Sequence, residues 1–272
     1  MALPAYATQS ERVARAVLWI FSVTVLLFLI APILVVIPLS FNSEPFFTFP
    51  LAGFSLRWYA DFLDNPRWTQ AIWNSLIVGG ATTVLATALG TLAATGLTRR
   101  EMPYRGLIMG LLISPMIVPV VITAVGMYFF FGNLGLLNTL TGLILADTAL
   151  AVPFVVITVT ATLSNYDTSL NRAAQSLGAA PLYTFMKVTL PLILPGVISG
   201  GLFAFVTSFD ETVLVQFLSG PDQRTLPRQM FDGIREEVSP TITAVATILI
   251  VVAIVLLAAI EMLRRRSERL RG

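Results

Sequence analysis

SNYDTSLNRAAQSLGAAPLYTFMKVTLPLILPG, residues Ser164–Gly196, is the stretch on which the reading of this chain turns. It has the marks of two short helices joined at a tight turn. Asp167 or Thr168 can start the first by accepting a backbone N–H. Ala173, Ala174 and Leu177 then stand at i, i+1 and i+4 and make a small, smooth apolar face. Gly178 follows where a helix end calls for a left-handed residue, and Pro181 opens the second helix where its missing N–H costs nothing. Leu182, Phe185, Met186 and Thr189 form a second apolar stripe, and Pro191 and Pro195 mark the return to a long apolar run. A small-faced helix of this size suits insertion into a groove on another protein. From the pattern alone, an inert connector lying on a bilayer is the other reading.

Outward from this loop, uncharged apolar runs follow one another. Of the 272 residues 56% are hydrophobic and 12% charged, about half the charge of an ordinary soluble domain. A charge at mid-bilayer costs at least about 2.5 kcal/mol, so such a chain suits lipid. Six runs are long enough to cross, near residues 17–39, 71–97, 104–131, 142–164, 191–218 and 241–262. The uncharged stretch 106–146 is twice the length one helix needs and is divided at Gly132, Asn133, Gly135 and Asn138. Val17–Leu39 is too long for the apolar core of a signal peptide and reads as a retained first span. The expectation is an all-α membrane protein, one transmembrane domain over residues 1–272, with a loop at 165–190 between the fourth and fifth spans.

Six spans put both termini on one side. That side carries Arg12, Arg15, Arg99, Arg100, Arg105, Arg172, Lys187, Arg264, Arg265, Arg266, Arg269 and Arg271, against Arg57, Arg67, Arg224, Arg228 and Arg235 on the other. By the positive-inside rule the termini and the 165–190 loop are cytoplasmic. The basic tail Arg264–Arg271 then reads as an orientation signal near anionic lipid and not as a nucleic-acid site. The outer segment Asn42–Gln70 is rich in aromatics (Phe46, Phe47, Phe49, Phe54, Trp58, Tyr59, Phe62 and Trp68), which suits anchoring at the headgroup level, with an external docking face as the alternative.

Absences exclude whole chemistries. With no Cys and no His there is no thiol nucleophile, disulfide, Cys/His zinc site or Ser–His–Asp triad. The single lysine, Lys187, follows Met186, so no Gly-Lys-Ser/Thr phosphate loop exists and ATP is not held that way.

The loop resembles the EAA motif of type I ABC importer permeases, roughly E-A-A-x-x-L-G-A and, nine or so residues later, L-P-x-x-x-P-G. Ala173, Ala174, Leu177, Gly178, Ala179, Leu190, Pro191, Pro195 and Gly196 stand in register with it, and Arg172 occupies the place of the glutamate. The resemblance implies a type I ABC importer permease fold in which this loop is the coupling helix. Arg172, Ala173, Ala174, Ser176, Leu177, Gly178 and Ala179 would meet an ATPase subunit. From about Phe41 onward the chain is similar to the second permease subunits of spermidine/putrescine importers. Asp210–Glu211, Gly220–Pro221 and Ser239–Pro240 leading to Ala244, Ala246 and Thr247 match that group's pattern. The resemblance implies two ATPase subunits that hold ATP and Mg, a second homologous permease and an external solute-binding protein. It also implies a multi-pass place in the bacterial inner membrane. No cofactor and no catalytic residue is expected in this chain.

Ionisable groups inside spans usually turn toward a cavity or a partner. Asp210 and Glu211, interrupting the fifth run, are therefore candidates for the solute path. They lie about 12 residues before Asp222, roughly 18 Å if the helix continues unbroken, and adjacent residues point too far apart to share one pore centre. Asp147 reads rather as an interfacial or partner-pairing residue. Gly196 and Gly200 form a small-xxx-small pair that permits close helix approach, and Pro115, Pro119 and Pro153 can kink the third and fourth spans. An ion-coupled secondary transporter is the competing reading, but it calls for a repeat and discontinuous helices, and it leaves the loop pattern unexplained.

Overall fold

The apolar runs do become helices. The computed structural model describes residues 8–48, 50–99, 101–236 and 239–271, with the side chains of residue 236 and of most residues beyond 255 outside that description. Phe49, Arg100 and Glu237 lie outside the described residues, as do the side chains of Arg264–Arg271. Among the described residues no strand occurs, only an isolated bridge between Asn42 and Phe54. The chain divides into two units, residues 1–65 with 233–272 and residues 66–232.

The first unit holds helix α1 (Gln9–Leu39), α2 (Arg57–Asp64) and α12 (Thr241–Arg271). A capping box starts α1, in which Thr8 Oγ1 accepts from the Glu11 N–H and Glu11 returns an acceptor to the Thr8 N–H. No residue of α1 is buried within the subunit, as a lipid-facing or partner-facing helix requires. The aromatic segment that follows is folded rather than loose. Phe41 stacks on Phe54 at 4.8 Å, Trp58 Nε1 donates to the Asn42 carbonyl at 2.7 Å, and Ser40 and Tyr59 share a hydroxyl contact of 2.7 Å. Thr241 Oγ1 donates to Asp61 at 2.7 Å and ties the start of α12 to α2. Phe46 and Phe54 remain exposed, so this scaffold presents rings outward.

The second unit is built around α6 (Leu140–Ser164), packed between α3 (Pro66–Leu97) and α9 (Leu190–Asp210). The close approach depends on missing side chains. A Cβ at Gly90 of α3 would lie 2.6 Å from the Val155 Cβ, one at Gly200 of α9 3.1 Å from the Val155 Cα, and one at Gly196 would collide with Thr162. The small-xxx-small pair therefore seats α9 directly on α6.

The expected third span is not one straight helix. It is α4 (Arg105–Ile117) and α5 (Val120–Asn133), which meet at an angle of 100°. Pro119 explains the break. It brings no N–H to continue the ladder, and its ring forces Val118 into extended backbone (φ −70°, ψ 132°). The expected fifth span also divides. After α9 the backbone is extended at Glu211 and a short helix α10 (Val213–Leu218) follows. A single 3₁₀ turn (Pro221–Gln223) and α11 (Leu226–Glu236) complete the order. Among the described residues four helices are long and apolar enough to cross a membrane, and the bent α4–α5 pair is a fifth candidate. Thr241–Val255 is a shorter apolar stretch.

Candidate functional site

The 165–190 loop forms the helix, tight turn and helix its sequence implies, except that the second helix is not short and runs without a break into α9, Pro181–Asp210. Its helices are α7 (Ser169–Ser176) and α8 (Pro181–Thr184), with Pro181 in the first turn of the latter. Asp167, not Thr168, starts α7. Its carboxylate accepts the Ser169 N–H at 2.9 Å and the Ser169 hydroxyl at 2.7 Å. Those two bonds, with help from nearby Arg172, hold the Asp167 carboxyl below the usual carboxylate range. At the other end Gly178 is left-handed (φ +85°). Its N–H reaches the Gln175 carbonyl, and the Ala179 N–H reaches that of Ala174, the paired bonds that close a helix at glycine.

Of the residues singled out in this loop, Arg172, Ala173, Ser176, Leu177 and Gly178 are exposed, and Ala174 and Ala179 are half-buried. Leu177 stands 89% exposed at the tip. An apolar side chain so placed on a small-residue helix is what a groove in another protein would receive. The second stripe is not continuous. Leu182 and Met186 are exposed, whereas Thr184 and Thr189 are buried. The cause is a π-helical turn at Phe185–Thr189. It takes more than four residues per revolution, so residues five apart, Thr184 and Thr189, share the inner face.

One residue that periodicity did not single out organises the hairpin. Asn171 Oδ1 accepts from Tyr166 Oη at 2.7 Å and from Thr189 Oγ1 at 3.0 Å. It joins the chain just past α6, the hairpin helix α7 and the foot of α9. Asparagine inside a helix ordinarily points to water, so no pattern in the sequence marks it. Beside the π-turn an open cleft of about 590 Å³ is lined by Thr83, Thr87 and Thr91 of α3, Phe185, Met186, and Leu190 and Val197 of α9.

The acidic pair sits where the fifth run breaks. Asp210 ends α9 and is exposed. Glu211 is half-buried, and its Oε1 accepts the Leu214 N–H at 2.9 Å, capping α10. The helix does not continue to Asp222, so the 18 Å estimate for an unbroken helix does not apply. The far end of α10 is held by Arg228, whose Nη1 donates to the carbonyls of Val215 (2.6 Å) and Ser219 (3.1 Å) and to Ser219 Oγ (2.6 Å). Asp232 lies 3.4 Å from Arg228 and 3.5 Å from Arg224. Asp147 is buried in α6. Ser208 Oγ of α9 donates to its Oδ2 at 2.6 Å, while Oδ1 has no hydrogen-bond partner among the described residues. It is an internal tie between helices, where the sequence suggested an interface. Among the described residues no group of three or more acidic, His or Cys side chains could hold a metal ion.

Residues 86–270 match the family of binding-protein-dependent transport system inner membrane components, and the chain belongs to that family. It is a permease subunit of an ABC importer, not an enzyme. Its relatives include the spermidine/putrescine transport system permease protein PotC of Shigella flexneri, 31% identical over 93% of this chain and 95% of that one. They also include the putrescine transport system permease protein PotI of Escherichia coli (strain K12), 35% identical over 90% of each. Among solved structures, a bacterial ABC transporter involved in import of the acidic polysaccharide alginate shares the fold. Its TM-score is 0.73 at 16% identity, covering 96% of this chain and 99% of that one. The family assignment decides against the ion-coupled alternative.

The cap on α10 is open to test. Glu211→Ala removes the acceptor, a loss of about 1 kcal/mol, and should speed amide exchange in Leu214 and its neighbours about fivefold. Glu211→Gln keeps an acceptor and should exchange at the parent rate. Hydrogen–deuterium exchange in lipid nanodiscs reads both, and an unchanged rate in Glu211→Ala would show that the cap is not what holds α10.

Proposed function

We propose that this chain forms half of the membrane pore of an importer for a small organic cation of the polyamine type. The observation that carries the reading is Asp210, an exposed carboxylate at the point where the apolar α9 ends and the backbone leaves the helix. A di- or polycation crossing an apolar region needs opposite charge along its route, since attraction strengthens as water is excluded. The relatives named for spermidine and putrescine support the same class. Glu211, engaged in capping α10, is the second candidate and acts more through the shape of the break.

The reading extends to the assembly. The chain is a single transmembrane domain with six spans, α12 and the bent α4–α5 pair included, in the bacterial inner membrane with both termini in the cytoplasm. It pairs with a second, homologous permease and receives solute from an external binding protein, a partner also present in a related alginate transporter structure. Two ATPase subunits bind ATP and Mg. Each accepts a coupling hairpin, and here Arg172, Ala173, Ala174, Ser176, Leu177, Gly178 and Ala179 make the contact. Closure of the ATPases moves the hairpins together and switches the side to which the pore opens.

Three outcomes test this. Gly178→Val forces a β-branched residue into a left-handed backbone, a strain of about 1–3 kcal/mol. The subunit should still insert at normal abundance while uptake and co-purification of the ATPase are lost; full uptake would remove the hairpin from the coupling path. Since the chain has no cysteine, Asp64→Cys should react with an impermeant maleimide on intact cells and Ser10→Cys should not, the reverse result inverting the orientation. Asp210→Asn keeps shape and removes charge. Putrescine uptake should fall at least about tenfold, equivalent to about 1.4 kcal/mol, with abundance and ATPase binding intact. Uptake at the parent rate would exclude Asp210 from the path.

A further inference from the structure

Three features outside the acidic pair invite explanation: the buried Asp147–Ser208 contact, the Arg228 clamp on α10, and Asn171. The first ties α6 to α9 and the second holds the end of α10. Of the three, Asn171 connects the exposed hairpin to the π-turn at the foot of α9, and it reaches furthest.

Its side chain is the meeting point of three elements. Tyr166 lies two residues past the end of α6, Asn171 is in the first turn of α7, and Thr189 closes the π-turn from which α9 rises. Both hydroxyls converge on one oxygen. Thr189 is 4% exposed, so without Asn171 its hydroxyl has no solvent to turn to. The π-turn itself is a rare local choice. It carries one residue more than an α-helical turn, and relaxation to α-helix would rotate everything C-terminal to it by about 100° per residue displaced. The open cleft lined by Phe185 and Met186 leaves space on the flank of that turn. A rotation there would be felt along α9, at whose far end Asp210 stands.

We infer that Asn171 is a positioning residue that locks the π-turn at Phe185–Thr189 to the hairpin, so that displacement of the hairpin is delivered to α9 as rotation rather than absorbed in the joint. The inference rests on the coupling role proposed for the hairpin. Asn171 makes no contact of its own with the ATPase in this arrangement. It keeps the lever stiff. Loss of the tie leaves the ATPase docked and hydrolysing while solute movement per ATP declines.

The test uses the complete transporter in lipid vesicles with its binding protein, following radiolabelled putrescine and released phosphate together. Asn171→Leu fills similar space and removes the acceptor; Asn171→Asp restores an oxygen that both hydroxyls can reach. In Asn171→Leu the ATPase should co-purify and hydrolyse ATP, while putrescine imported per ATP falls about fivefold or more. Asn171→Asp should return the ratio toward that of the parent. In parallel, amide exchange across Phe185–Thr189 should rise in Asn171→Leu alone, a readout that needs no knowledge of the solute. A parent-like ratio or unchanged exchange in Asn171→Leu overturns the inference, and so does an Asn171→Asp protein as impaired as Asn171→Leu. Shedding of the ATPase by Asn171→Leu would make Asn171 a docking residue and is equally fatal to it. Failure of the ATPase to associate with the parent protein strikes the coupling reading instead, and absence of putrescine uptake by the parent strikes only the solute class.

Discussion

Inside hydrocarbon a backbone N–H or C=O finds no water, and leaving it unbonded costs several kcal/mol. Helix is therefore the default for this chain, and each departure from it has to be settled by something specific. At Val118–Pro119 the proline removes the N–H that would otherwise be orphaned. At Glu211 a carboxylate takes over the bonding of the next helix's first turn, and Arg228 does the same for its last carbonyls. At Phe185–Thr189 the backbone stays bonded by winding more widely, and Asn171 satisfies the buried hydroxyl that this winding turns inward. The hairpin, the π-turn and the acidic break are all positions where regular helix is given up and side chains make good the loss.

The second requirement is proximity. Two helices can deliver motion to one another only if they are in firm contact, and α6 achieves this with glycine on both sides. Gly90 of α3 and Gly200 of α9 both face Val155, and Gly196 faces Thr162. Ser208 to Asp147 adds a polar tie at the other end of the same α6–α9 contact. A displacement entering at the foot of α9 is thus applied to a packed three-helix body.

Much of this was legible in the residues. The hairpin, its turn at Gly178 and the start of its second helix at Pro181 follow from local stereochemistry that tertiary context rarely overrides. The helices came from long uncharged runs for the same reason. The sharp bend at Pro119 was legible as a kink but not as 100°, since a proline's position says what is lost and not how far neighbours let the chain turn. The stripe through Leu182, Phe185, Met186 and Thr189 misread the inner face because it assumed 3.6 residues per turn, and nothing local announces a π-turn. Asn171 and Arg228 act on groups 18 and 9 or more residues away. Such bonds have no period, and only the folded geometry brings their partners together.

The two glycine demands in the hairpin and its span differ in kind. At Gly196 the obstacle is volume, since Thr162 fills the place of a Cβ; at Gly178 no atom of the described residues beyond its chain neighbours lies within 4 Å of where a Cβ would be, and only the sign of φ stands in the way. Position 178 is thus a constraint of handedness alone. A mirror-image residue would sit there without strain, and asparagine, which tolerates that handedness, is the natural L-residue to replace glycine there. By stereochemistry within the subunit alone, the tip of the hairpin can drift through the few side chains that accept a left-handed turn. The buried contact at its base permits no comparable drift unless Thr162 changes with it.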